Sequence, residues 1–124
     1  MKKLLITTAI VEAITGLLLM AAPLYVASML FGEESLGEVA LTIARIAGAA
    51  LISLALACLF SQNSVHAVNV VKAMLFYNIA AAIVLIYSKL GLELKGIGLV
   101  PAIVVHLILA VWSIVVIRTS SIKS

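Results

Sequence analysis

Four side chains able to do polar chemistry stand inside long apolar runs: Glu12, Arg45, Asn78 and His106. A carboxylate and a guanidinium can form a two-pronged ion pair, which an amide and an imidazole can extend into a hydrogen-bonded cluster. Such a cluster can hold a polar ligand, carry a proton, or simply fix which helices meet. Glu12 with His106 is also an acid–base pair in principle, but no nucleophile, metal shell or cofactor motif accompanies it. The sequence therefore nominates no catalytic residue, no metal ligand and no cofactor, and the balance leans away from an enzyme.

The setting of these four residues gives them their meaning. Of 124 residues, 65% are hydrophobic and 10% charged, against roughly 45–50% and ~25% in soluble domains. A small soluble domain buries only about two-thirds of the surface its unfolded chain exposes, so water is excluded as the solvent for so apolar a chain. The lipid bilayer is one partner. Net charge is only +3 with no basic cluster, which argues against nucleic acid. A single cysteine, Cys58, excludes an internal disulfide or a multi-cysteine metal site.

A membrane helix needs about 20 apolar residues. Four runs qualify: 4–22 ending at Pro23, 39–60 containing Arg45, 67–87 with Lys72 near its start, and 98–117 ending at Arg118. The expected fold is an all-α, four-helix, up-down membrane bundle forming one domain over 1–124. The first run is longer than a signal-peptide apolar segment and is interrupted by Glu12, so it reads as a membrane helix. Residues 24–31 are apolar but too short to span. They either extend the first helix past a Pro23 kink or form a short interfacial helix. Ser35 and Glu38 fit a capping box that starts the second span near Leu36. Ser61 to Ser64 make a tight turn and thus antiparallel neighbours of the second and third spans.

Positive charge sets orientation. Lys2, Lys3, Lys72, Arg118 and Lys123 fall on one side, while Lys89 and Lys95 share the other with Glu33, Glu34, Glu38 and Glu93. Both termini are expected in the cytoplasm of a prokaryotic plasma (inner) membrane. Lys72 reads as a snorkelling interfacial charge. Tyr87 and Trp112 suit interfacial positions, and Cys58 reads as a packing residue.

On a rise of ~1.5 Å per residue, Glu12 lies ~12 Å from the cytoplasmic side, Asn78 ~16 Å, His106 ~18 Å and Arg45 ~21 Å. Helical spacing places Glu12 with Thr8 and Thr15 or Gly16, Arg45 with Thr42 and Gly48 or Ala49, and His106 with Ala102, Ala110 and Ser113. These stripes predict a buried Glu12–Arg45 ion pair, bonded to Asn78 and His106 directly or through water. His66 is too far from His106 for a shared metal or haem.

Two resemblances add expectations. Glu12-Ala13-Ile14-Thr15-Gly16 and Ala44-Arg45-Ile46-Ala47-Gly48 resemble the DoxX-like small four-helix membrane proteins, in length, span count and these two motifs. That resemblance implies at most a lipid-soluble ligand such as a quinone, or a respiratory-type partner complex, and no catalytic residue carries over. The chain also resembles the small multidrug resistance transporters, whose helix-1 glutamate Glu12 matches, although the third span lacks that family's Gly-rich, Trp-containing face. An ion pair with Arg45 would hold Glu12 ionised and spoil proton exchange.

Three functions follow as alternatives: a freestanding bundle binding a small amphiphile, lipid or quinone near the polar cluster; a proton-coupled exporter working through Glu12 as a homodimer; and an accessory subunit of a larger membrane complex. The first requires a cavity beside Glu12 and Arg45. A filled core there would exclude it.

Overall fold

The computed structural model describes residues 1–122; Lys123, counted above among the cytoplasmic charges, lies outside them. The chain forms α1 (Lys2–Ala21), α2 (Pro23–Phe31), α3 (Glu38–Ser61), α4 (Ala67–Leu90) and α5 (Leu99–Ile122). Four of these, all but α2, are long and apolar enough to cross a membrane. The four runs read from hydropathy are those helices, with ends displaced by at most three residues except at the end of α5, which runs five residues further than expected.

Local chemistry explains the breaks. Ala22 leaves helical geometry at φ −141°, ψ 62°, and Pro23 opens α2 at its first turn, where its missing N–H has no partner to lose. Residues 23–31 thus form a separate short helix rather than a continuation of α1. Gly32, left-handed at φ 76°, ends it. The expected capping box is not formed. Gly37 takes the extended N-cap conformation, no side chain caps the helix, and α3 starts at Glu38 rather than near Leu36. Glu38 sits instead in the first turn, where its carboxylate faces the positive end of the helix. Ser64 N–H donates to Ser61 O at 2.9 Å in the expected turn between α3 and α4.

The helices pack as two tight pairs, α1 along α3 and α4 along α5; α3 and α4 meet over a much shorter contact despite their close connection. Glycine makes the first pair close. A Cβ on Gly16 would lie 2.7 Å from Gly48 O, and one on Gly48 would lie 2.6 Å from Gly16 O and 2.9 Å from Met20 N. The two backbones touch where any side chain would part them, as small-residue faces allow in membranes. Apolar side chains more than half exposed, among them Ile14, Ile46, Phe76, Ile83 and Val111, cover the outside of all four long helices. In lipid they need no partner.

The interior is filled unevenly. In the half of the bundle that holds the termini, Leu4, Leu5, Cys58, Val71, Met74 and Leu109 form a packed core, with Trp112 half-buried against it. The other half is covered by α2. Gly98 N–H donates to Met29 O at 2.7 Å, and Gly96 lies so close to Leu30 that a side chain would overlap its carbonyl. α2 is thereby fastened to the connection between α4 and α5.

Replacing Gly48 with Ala should force α1 and α3 apart and cost about 1–3 kcal/mol, the usual range for overpacking a tight contact. Thermal unfolding in detergent micelles reads this directly; an unchanged midpoint would remove the Gly16–Gly48 contact as the basis of the pair.

Candidate functional site

A cavity of about 700 Å³ lies in the half of the bundle beneath α2, within the size range of small-molecule sites. Its walls are almost wholly apolar. Val11 and Leu18 of α1, Val26 and Met29 of α2, and Ala81 and Leu85 of α4 contribute to them. Along α4 the lining runs from Tyr77 to Leu85, a height of about 12 Å on the helical rise. Tyr77 and His106 form the floor at one end, Tyr25 of α2 adds a second phenol to the lining, and the Thr15 hydroxyl in the wall is occupied with Val11 O at 2.9 Å.

Three of the four residues singled out from sequence gather at this floor. Asn78 is fully buried, and its Nδ2 donates to Met74 O at 2.8 Å. Asn78 Oδ1 lies 2.9 Å from His106 Nδ1. The His106 ring stands edge-on to Tyr77, with centroids 5.7 Å apart and planes at 77°. The Tyr77 phenol in turn faces the Glu12 carboxyl. Glu12 and Tyr77 each lie ten residues into their helices, α1 and α4, which run in the same direction. Glu12 is 1% exposed, and its Oε1 is the one buried side-chain polar atom among the described residues with no hydrogen bond. A buried carboxyl oxygen without a hydrogen-bond partner is costly to keep.

The fourth residue is elsewhere. Arg45 is exposed, and no Glu12–Arg45 ion pair forms among the described residues. The close glycine contact explains why. It sets Gly16 against Gly48 and Ile52, and Gly48 against Met20, so that Glu12 is level with residues 52–56 of the antiparallel α3. Arg45 then lies about 10–16 Å further along the axis on the rise per residue. Thr42 and Ala49, expected to face inward with it, are exposed as well; of that stripe only Gly48 is buried. Arg45 sits two turns from the start of α3, where a long side chain can extend to the membrane boundary.

Thr8, Gly16, Ala110 and Ser113 are buried, as their stripes require. Lys72 is exposed near the start of α4, and Cys58 is packed in the core. Sequence reasoning missed Tyr77. Its signal was available, since it precedes Asn78 and lies at the same depth as Glu12, but an aromatic in an apolar run reads as filler. No cluster of three metal-ligating side chains occurs among the described residues.

No protein-family model, curated protein or solved structure matches the chain. Fold and site together define a small multi-pass membrane protein with a polar-floored pocket open between its helices.

In a double-mutant cycle, Glu12→Gln and Arg45→Gln should act independently, with coupling below about 0.5 kcal/mol, as for groups further apart than contact distance. Chemical or thermal unfolding of the four proteins measures it. Coupling of several times that size would restore the ion pair expected from sequence.

Proposed function

We propose that this chain binds a small amphiphile, a lipid or quinone-sized molecule, inside the bundle. The observation that carries this reading is the apolar cavity of about 700 Å³ closed at one end by Tyr77 and His106, with Glu12 directly behind Tyr77. The sequence argument asked for a cavity beside Glu12 and Arg45; this one is lined by neither, and it is supported instead by His106 and Tyr77, with Val11 next to Glu12 in its wall. The apolar body of a ligand would lie between α1, α4 and α5 beneath α2, with its polar end on the floor. The same reading puts both termini in the cytoplasm of a prokaryotic plasma membrane, on the distribution of Lys2, Lys3, Lys72 and Arg118. The α2 side then faces outward.

One observation favours a second reading. Glu12 has no arginine counter-charge, and its Oε1 is unpartnered, which removes the objection that an ion pair would block proton exchange. A proton-coupled exporter would use Glu12 to hold a proton or a cationic substrate in turn. It predicts pH-dependent cation binding that Glu12→Gln abolishes, whereas neutral amphiphile binding should survive that change.

The binder reading is tested by filling the cavity. Ala81→Phe places an aromatic ring in the wall and should weaken retention of co-purifying or added amphiphile at least tenfold, equivalent to about 1.4 kcal/mol. Native mass spectrometry from detergent gives the occupancy, and a thermal melt confirms the fold. Equal occupancy in both proteins would sink the reading.

A further inference from the structure

The hydrogen-bond chain behind the cavity floor fixes the chemistry of the ligand's polar end. The Asn78 amide has one tenable orientation. Its Nδ2 lies 2.8 Å from the Met74 carbonyl oxygen, and a flipped amide would set two lone-pair oxygens against each other there. Oδ1 therefore faces His106, and it has no hydrogen to give. The 2.9 Å contact with His106 Nδ1 is a hydrogen bond only if Nδ1 carries the proton. The neutral ring is thus held in one tautomer, with Nδ1–H directed at the buried amide and a lone pair on Nε2.

That lone pair is unused. No hydrogen bond engages Nε2, and it is not among the sealed, unpartnered atoms of the interior, of which Glu12 Oε1 is the one example in the described residues. His106 lines the cavity, and with Nδ1 committed to Asn78 on α4 its Nε2 is the ring nitrogen left to meet a ligand there. An acceptor without a partner at the end of an apolar chamber selects a donor.

We propose that the cavity takes a lipophile whose polar end is a neutral hydroxyl, an alcohol or phenol, donating to His106 Nε2, in preference to one whose polar end only accepts hydrogen bonds. The inference deepens the amphiphile reading and rests on it. A carbonyl or ether oxygen placed at the same point would face the Nε2 lone pair with no hydrogen between them. The hydroxyl satisfies it.

The full-length protein in nanodiscs, labelled with ¹⁵N at histidine, provides the test, using para-octylphenol and its methyl ether as probes with the same apolar body. His66 is exposed at the start of α4, and His66→Gln assigns its signals. The unliganded protein should show His106 with Nδ1 protonated and Nε2 bare. The phenol should move the Nε2 resonance toward its hydrogen-bonded position and bind about three- to tenfold more tightly than the ether, as one neutral hydrogen bond allows. In His106→Phe that preference should vanish while both probes still bind. An Nε2-protonated ring in the unliganded protein, or equal binding of the two probes to the wild type, overturns the hydroxyl assignment and leaves the cavity reading standing. Binding of neither probe overturns both.

Discussion

The backbone contact between Gly16 and Gly48 governs the rest of this structure. It fixes how far α1 and α3 approach and, because a side chain at either position would collide with the other backbone, it fixes their register as well. Inside a bilayer no hydrophobic force draws apolar helices together, so close van der Waals packing between small residues is among the few devices that can choose a partner. Once that register is set, the level of every side chain on α1 relative to α3 follows. Glu12 turns to the interior at the height of Tyr77, and Arg45 is carried away toward the opposite boundary.

The second consequence is the uneven filling of the bundle. α4 and α5 form their own pair, tied across by the Asn78–His106 bond. Two tight pairs laid side by side need large side chains to close the space between them. Leu4, Leu5, Val71, Met74 and Leu109 supply these in the half that holds the termini. In the other half the facing residues include Ala80, Ala81 and Ala102, and the space stays open. The polar layer of Glu12, Tyr77, Asn78 and His106 lies between these halves. α2, too short to span, covers the open one and is fastened through Met29 and Gly98.

Much of this was legible in the residues. Hydropathy located all four spans because the bilayer demands about 20 apolar residues from any helix that crosses it. Counting along those helices also brought Asn78 and His106 to one level, and they bond. The same counting failed for Arg45, although its arithmetic already left ~9 Å between Arg45 and Glu12 on the rise per residue. Depth along one helix is a local property, but the facing partner depends on register, which the glycine contact decides. The face of α3 was misjudged for the same reason: Gly48 is buried and Arg45 is not, though they are three residues apart. Helical spacing of three or four residues permits a shared face without requiring that both members be covered. Tyr77 was invisible as a site residue because nothing in a single sequence separates an aromatic that fills space from one whose hydroxyl meets a buried acid.

The site's selectivity follows from the solvent around it. For a soluble pocket, apolar walls are themselves a source of affinity, at roughly 25 cal/mol for each Å² withdrawn from water. In a membrane they are not, since a hydrocarbon chain moving from lipid to the cavity exchanges one apolar surface for another. Walls such as Val11, Val26 and Leu85 therefore decide only what shape can enter. For the proposed amphiphile, affinity would have to come from the floor, and it would go to molecules whose polar end finds there a better partner than the bilayer offers at the same depth. Lipid tails offer none, because a hydrogen-bonding group in hydrocarbon goes unsatisfied at a cost of several kcal/mol. A polar-ended lipophile is accordingly held near the membrane boundary unless something inside receives it. On the amphiphile reading, His106 and Tyr77 form such a receiver, about 12 Å of helix below α2 by the rise per residue, and Glu12 and Asn78 stand buried behind them.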